Sequence, residues 1–333
     1  MQKRLSITTP CFNEEGNLEP LYSRVCAVMD SMPEYQFEWV IIDNCSIDRS
    51  REILRHLAAK DKRIKVIFNT RNFGPGRSSC YGLYQTTGDA SICVACDLQD
   101  PPELIPQFIR KWENGADVVL GRITESEESA GSFATRGLFY KILNLFSDNK
   151  VESHVTGFGL YSRRVIRLLM IEANPNPNYR FSISNFGFAV EYVDYIQPLR
   201  SAGKSSYNFI SKLNTSIDAL VQASTSPVRI ITLSGAVLAG IAIPCCLILS
   251  VFDLILLSEI TFRFALSLLV LGVAGLLALA IGVVGEYVVS TLAHVKSEPL
   301  VIEKERINLE FGNLDNPWVA PARSNQEEER LSQ

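Results

Sequence analysis

Ala90-Ser91-Ile92-Cys93-Val94-Ala95-Cys96-Asp97-Leu98-Gln99-Asp100-Pro101-Pro102 is the stretch on which the reading of the chain turns. An uncharged, mostly apolar run stops at Asp97, and Pro101-Pro102 opens an amphipathic segment. Such a run between turn signals reads as a buried parallel strand. Open α/β sheets take their ligands outside the carboxyl ends of the strands, which puts Asp97, Gln99 and Asp100 at that edge. Carboxylate and amide oxygens are hard ligands, suited to Mg2+ or Mn2+ shared with a diphosphate. A plain strand-to-helix loop, with Asp100 capping the helix begun by the prolines, accounts for the same residues.

Working upstream, Leu5 to Thr8 reads as a strand ended by Pro10. Asn13 is the expected cap of the next helix, with Glu14 and Glu15 in its first turn. Leu18, Leu21, Tyr22, Val25, Met29 and Met32 then recur at helical spacing. Phe37 to Ile42 is a second strand, ending at Asp43, and Ser46 or Asp48 caps a helix carrying Ile53, Leu54 and Leu57. Ile64 to Phe68 is a third strand. Gly74-Pro75-Gly76 lacks the Lys-Ser/Thr of a P-loop and reads as a tight turn before a helix through Tyr84.

Downstream, Leu104, Ile105, Phe108, Ile109 and Trp112 mark a helix, and Asp117 to Leu120 a strand ending at Gly121-Arg122. Further on, Phe133 to Phe146 reads as helical, and Gly157 to Tyr161 and Tyr192 to Ile196 as strands. The alternation of strand and helix implies a mostly parallel sheet covered on both faces, an α/β domain over residues 1–206. Asp43, Asp97 and Arg122 each end a strand in this reading, and that clustering marks a site.

The 333 residues carry a net charge of −4, which does not suggest a nucleic-acid partner. Ile230 to Phe252 and Phe264 to Gly285 are uncharged runs of 23 and 22 residues. Each exceeds the ~20 residues that cross a bilayer. Two membrane helices are expected, at about 230–252 and 264–288 within residues 228–295. Basic residues flank the pair at Lys212, Arg229, Lys296, Lys304 and Arg306, which puts both termini and the α/β domain in the cytoplasm.

Ile210, Leu213, Ile217 and Val221, within 207–227, fit an interfacial amphipathic helix and equally a helix packed on the α/β domain. Ala274, Ala278 and Gly282 give a close-approach face for another helix, with a homo-oligomer among the candidate assemblies. Glu286 is placed at the cytoplasmic interface. Residues 296–333 are read as a cytoplasmic tail, disordered after Trp318. Eight cysteines occur, and the Cys93/Cys96 pair has neither a second pair nor a histidine to make a zinc site. Both are read as packing residues.

Taken together, Pro10-Cys11-Phe12-Asn13-Glu14-Glu15, Asp43 with Ser46 and Asp48, Arg71-Asn72-Phe73-Gly74, and Asp97-Leu98-Gln99-Asp100-Pro101-Pro102 resemble glycosyltransferase family 2. Ser162-Arg163-Arg164, Ala202-Gly203-Lys204 and the hairpin with Gly285-Glu286-Tyr287 resemble its polyisoprenyl-phosphate branch, over about residues 3–305. That branch contains the dolichyl-phosphate mannose synthases and the bactoprenol glucosyltransferases. The resemblance implies a GT-A fold and inverting transfer of a sugar from a nucleotide-sugar, UDP-glucose-like, to a polyprenyl phosphate at the cytoplasmic face of the plasma or inner membrane. By position, Pro10, Phe12, Glu14 and Asp43 would bind the nucleoside. Asp97 and Gln99 would hold Mg2+ or Mn2+, and Arg200 and Lys204 would close over the diphosphate. Arg122 and Arg136 would grip the acceptor phosphate, as forked donors suit.

The chain departs from the family pattern at Ala95, where an acid is usual, at Cys45 within Asp43-Asn44-Cys45-Ser46, and at Val155. These departures keep open a catalytically silent, membrane-anchored nucleotide-sugar-binding protein. A processive polysaccharide synthase on the same fold would carry Gln-x-x-Arg-Trp, whereas Gln197-Pro198-Leu199-Arg200 is followed by Ser201.

Overall fold

The computed structural model describes residues 2–126, 144, 152, 154–172, 174, 182–183, 186–198, 228, 230–235, 237, 240, 244, 259–296, 299–309 and 319–320. The first half alternates as its periodicity predicts. It runs β1 (Arg4–Cys11), α1 (Leu18–Asp30), β2 (Gln36–Asp43), α2 (Ser50–Lys60), β3 (Ile64–Asn69), α3 (Pro75–Tyr84) and β4 (Ala90–Cys93). A short 3-10 turn at Pro102–Leu104 leads into α4 (Ile105–Glu113) and β5 (Val118–Ser126). Then come β6 (Val155–Ser162), α5 (Arg163–Glu172), β7 (Val190–Gln197), α6 (Glu259–Lys296), β8 (Val301–Ile307) and β9 (Val319–Ala320).

The strands form one sheet in the order β7-β5-β6-β4-β1-β2-β3-β8-β9. Strands β4, β1, β2 and β3 are mutually parallel, so their carboxyl ends share one edge. The sheet is mixed beyond them: β6 runs antiparallel to both β4 and β5, and β8 antiparallel to β3. A GT-A-like α/β fold follows, with less parallel character than the early alternation suggests.

Period-two alternation divides each central strand between two cores. Leu5, Ile7, Trp39, Ile41 and Val66 pack against α1, α2 and α4 through Leu21, Leu57 and Phe108. Val40, Ile42 and Ile67 pack on the other face, with Tyr81 and Leu83 of α3 and Ile166 of α5. Cys93 belongs to this second core and Cys96 to the first. The two thiols of the CxxC are therefore on opposite sides of the sheet, each buried.

Three expectations are corrected here. The apolar run at 90–96 pairs only as far as Cys93. Val94, Cys96 and Leu98 stay apolar because they drop into the first core, not because they continue a strand. The helix caps are the second correction: α1 begins at Leu18, four residues later than an Asn13 cap requires. Asn13 has a φ of 55°, and its side chain accepts from Ile47 N–H at 2.9 Å across the neighbouring loop. Ser46 Oγ accepts from Asn13 N–H, Ser50 Oγ from Glu14 N–H and Asp48 from Glu15 N–H, at 2.9, 2.9 and 3.2 Å. Asn13 and Ser46 thus lace two loops together instead of starting helices, whereas Asp48 also accepts from Ser50 N–H at 3.0 Å, at the start of α2. Third, Arg122 does not end a strand but lies inside β5, which continues to Ser126.

The segment read as a tail returns to the sheet. Strand β8 pairs with β3 from Val66–Ile307 to Asn69–Glu303. Its Glu303 is buried and accepts from the Tyr81 hydroxyl at 2.5 Å and from Arg306 Nη2 at 2.6 Å. Arg306 Nη2 also donates to Gln85 Oε1 at 3.0 Å, and Arg55 Nη2 of α2 reaches Glu305 at 2.6 Å. Burial first, then the Glu303 charge, pushes the Tyr81 hydroxyl pKa far up, so it remains a donor.

Helix α6 is 38 residues long, about 57 Å at ~1.5 Å per residue. Within it Gly272–Leu292 is long and apolar enough to cross a membrane, and Val270, Leu277, Ile281, Val284 and Val288 are exposed. The expected first span is described only at scattered helical positions, among them Ile230 to Gly235, and the rest of it lies outside the described residues. So do the expected helix at 133–146, apart from Asn144, and the amphipathic segment at 207–227.

Candidate active site

Beyond Cys93 the chain curls rather than extends. Val94 N–H still reaches Thr8 O at 3.0 Å, and Ala95 N–H donates to Asp100 Oδ2 at 3.1 Å. Leu98 takes a φ of 64°, a left-handed conformation that bulky residues rarely adopt. The curl closes a short loop in which Asp97 Oδ1 accepts from Gln99 N–H at 3.2 Å. Gln99 Nε2 donates to Pro198 O at 3.4 Å, tying the loop to the residue after β7.

This loop is one wall of a pocket of about 260 Å3. Asp97, Gln99 and Asp100 line it with Pro10 at the end of β1, Ser79 of α3, and Thr156 and Phe158 of β6. Gln197, the last residue of β7, completes the far side. A larger open groove of about 660 Å3 lies at the amino ends of β1 to β3, with Arg4, Tyr35, Phe37 and Lys62 among its walls. Sheets of this kind bind ligands at their carboxyl ends, so the smaller pocket is the candidate.

Asp100 is the residue whose part the sequence reading understated. It caps nothing: its two oxygens accept from Ala95 N–H and, at 3.2 Å, from the Tyr195 hydroxyl. Burial, helped by the nearby Asp97 charge, raises its pKa to about 7. Cys96, the residue before Asp97, is in contact with Cys11, and that contact and its burial push its pKa well up. It is a packed thiol rather than a reactive one.

The residues expected around the nucleoside are at the same edge but occupied. Asp43 is fully buried, accepting from Arg51 Nε at 2.7 Å and from Ser46 N–H at 3.2 Å. Glu14 is also buried, with Asn17 Nδ2 donating to it at 2.5 Å. Phe12, two residues before Glu14, is half-buried. Asn44 joins the β2 and β3 loops: its Nδ2 donates to Asn72 at 2.8 Å, and its Oδ1 accepts from Asn69 Nδ2 at 3.1 Å and from Phe73 N–H at 2.9 Å. Gly74, with a φ of 89°, turns the chain into α3, as the tight-turn reading expects.

Of the two expected acceptor residues, Arg122 is not brought to the pocket. Arg122 donates from Nε and Nη2 to the two oxygens of Asp194 on β7, at 2.7 and 3.0 Å, with Glu152 at 3.7 Å. It also lies over the Tyr192 ring, and it is not among the residues lining the pocket. Arg136, Arg200 and Lys204 lie outside the described residues. Of the basic pair, Arg163 donates to Gly88 O at 2.7 Å and ties α5 to the β4 edge, while Arg164 is exposed near Asp117.

Sequence reasoning missed Ser79, Thr156 and Gln197. Gln197 ends a strand as Asp43 does, and the strand-end rule would have found it had β7 been placed beside β5. Thr156 gave no signal, because its place depends on β6 being inserted antiparallel between β4 and β5.

Residues 6–169 match the family described as Glycosyl transferase family 2. The prophage bactoprenol glucosyl transferase homolog of Escherichia coli (strain K12) is 32% identical, over 90% of this chain and 98% of that one. The bactoprenol glucosyl transferase of Shigella phage SfX is 31% identical, over 91% and 99%. The undecaprenyl-phosphate 4-deoxy-4-formamido-L-arabinose transferase of Shewanella sediminis (strain HAW-EB3) is 30% identical, over 89% and 90%. With likeness running the length of both chains and the acidic loop seated at the sheet's carboxyl edge, this chain belongs to glycosyltransferase family 2.

Proposed function

We propose that the chain transfers a sugar, with inversion, from a nucleotide-sugar to a polyprenyl phosphate held in the membrane. The observation that carries this reading is the continuity between an apolar helix and the sheet bearing the pocket. Four residues separate the end of α6 from β8, which pairs directly with β3. Five residue steps span at most about 18 Å, so this end of the helix is close to the sheet's β8 side. A membrane-embedded acceptor suits an enzyme tethered in this way. The relatives named for bactoprenol and undecaprenyl phosphate support the same acceptor. The membrane hairpin, with residues 1–206 on the cytoplasmic side, belongs to this proposal.

Asp97 and Gln99 offer a carboxylate and an amide oxygen beside a polar pocket. Among the described residues no group of three or more His, Cys, Asp or Glu side chains is poised to hold a metal by itself. That donor set fits Mg2+ or Mn2+, which take one or two protein oxygens together with phosphates and water. When bound, the ion supplies positive charge against the departing diphosphate. The protein's own task is then to position two anionic substrates. The acceptor phosphate is largely ionised near neutral pH and is already the nucleophile, so no separate base is required.

In this proposal Pro10, Phe12, Glu14 and Asp43 shape the nucleoside end. Direct contact with the Asp43 carboxylate requires Arg51 to turn away. Arg122 serves the acceptor phosphate by exchanging Asp194 for it; Arg136 is assigned to the same phosphate, and Arg200 and Lys204 to the diphosphate. The test is incubation of the full-length protein in detergent with undecaprenyl phosphate and a panel of nucleotide-sugars. Formation of a lipid-linked sugar is the expected result. Sugar-nucleotide binding without transfer would favour the silent binding protein instead.

A further inference from the structure

We infer that the 260 Å3 pocket seats the sugar ring of the donor, and that Gln197 and Thr156 select which sugar is accepted. The inference rests on the nucleotide-sugar reading above and adds the residues that read the sugar.

Size is the first argument. Sites for drug-sized ligands span ~300–1,000 Å3, so this pocket takes a monosaccharide ring and not a whole nucleotide-sugar. Charge is the second. Asp97 and Asp100 line the pocket, and no lysine or arginine does so among the described residues. Such a lining disfavours a phosphate that no metal accompanies, and with Asp97 and Gln99 engaged at the metal and diphosphate the remaining walls suit a neutral polyol.

The third argument is the chemistry of the walls. Ser79, Gln99, Thr156 and Gln197 bring hydroxyl and amide groups from α3, the acidic loop, β6 and β7, with Pro10 and Phe158 as apolar surface between them. Few well-placed polar groups against apolar walls is the usual composition of a small-molecule site.

Gln197 and Thr156 are held firmly enough to discriminate. Gln197 is 6% exposed and ends a strand paired to β5, opposite Ser126. The next residue, Pro198, accepts from Gln99 Nε2 at 3.4 Å, which joins the end of β7 to the acidic loop. Thr156 Oγ1 accepts from Phe158 N–H at 3.2 Å, which fixes its rotamer at the mouth of β6. A site whose rigid polar groups bond substrate hydroxyls rejects analogues that leave those groups unpaired. Epimers differing at one hydroxyl are such analogues.

The experiment uses calorimetry on the full-length protein in detergent, with UDP, UDP-glucose, UDP-galactose and UDP-N-acetylglucosamine as probes. Wild type is expected to bind one UDP-sugar more tightly than UDP. Gln197→Leu and Thr156→Val should each weaken that sugar nucleotide by about tenfold or more, the loss of a buried hydrogen bond. Both should leave UDP within about twofold and narrow the gap between the preferred sugar and its epimer. Gln197→Glu, which keeps the shape and loses the amide donor, replaces the leucine variant if that one fails to fold.

Equal weakening of UDP and UDP-sugar would overturn the inference. So would unchanged sugar-nucleotide binding in both variants, or a wild type that binds no sugar nucleotide better than UDP. Failure of the wild type to glycosylate undecaprenyl phosphate counts against the proposed reaction alone, because the binding comparison does not depend on turnover.

Discussion

Asp97 and Arg122 look alike in the sequence, each a charge after an apolar run, but the structure gives them different surroundings. Asp97 lines a pocket; Arg122 spans β5 and β7 in a forked ion pair with Asp194. Asp97→Ala is expected to abolish transfer with little change in melting temperature, and chelator should do the same to the wild type. Full activity in excess chelator would remove the metal from the mechanism. Arg122→Ala should raise the apparent KM for polyprenyl phosphate by about tenfold or more and leave nucleotide-sugar affinity unchanged. An unchanged lipid dependence would reduce Arg122 to a surface pair. Exposed pairs of that kind contribute only ~0–1 kcal/mol.

Glu38 provides the pH dependence at this scale. Burial alone would raise its pKa, but hydrogen bonds from Lys65, Ser6 and Thr87 outweigh that and hold it below the usual range. A depressed folded pKa means stability present above the unfolded value of ~4.3 and lost as pH falls through the folded one. Glu38→Gln should cost about 2 kcal/mol at neutral pH, where charged hydrogen bonds are lost. The variant should also lose less stability than the wild type as pH falls below about 4.3. Urea melts at several pH values measure both effects, and parallel curves for variant and wild type would exclude the linkage.

Strand β8 is the element whose position carries most consequence. Its Glu303 and Arg306 are nearly or fully enclosed, at 0% and 5% side-chain exposure, between α3 and the sheet. Removing one partner of such a pair leaves a buried, unpaired charge, at about 3–5 kcal/mol. Glu303→Ala is therefore expected to lower the melting temperature sharply. Glu305→Ala, whose pair with Arg55 is partly exposed, should shift it little. Equal effects would mean that β8 is only draped on the sheet edge. The same element ties the apolar helix α6 to the sheet: α6 is spliced into the chain between β7 and a strand of that sheet.

For the molecule as a whole, the expected topology places the sheet inside the cell and the short linker between the apolar runs outside. A cysteine introduced at Leu257 should react with an impermeant reagent in intact cells, and one at Ser126 should not. Labelling at Ser126 from outside would overturn this arrangement.

At this scale the division between sequence and structure is also clearest. Period-two and period-3.6 patterns placed β2 and β3 to within a residue at each end. They found β1, β4 and the intervening helices while missing some of their ends by three or four residues. These elements were legible because each element's own burial writes its pattern locally. The uncharged run at 264–285 announced a membrane-length helix for the same reason. The strand-end carboxylates drew attention to the right edge of the sheet. Tertiary structure alone decided the rest. Asn13 bonds Ile47 and Ser46, more than thirty residues away, so its helix-cap signature misplaced the start of α1. Val94 and Cys96 kept an apolar pattern while leaving the sheet, because a core accepts buried side chains from a curled loop as readily as from a strand. The antiparallel insertion of β6 and the return of β8 are matters of which strand finds which neighbour. Hydrogen-bond pairing between distant segments leaves no period in the sequence, and it is that pairing which brings Thr156 and Gln197 to face Asp97.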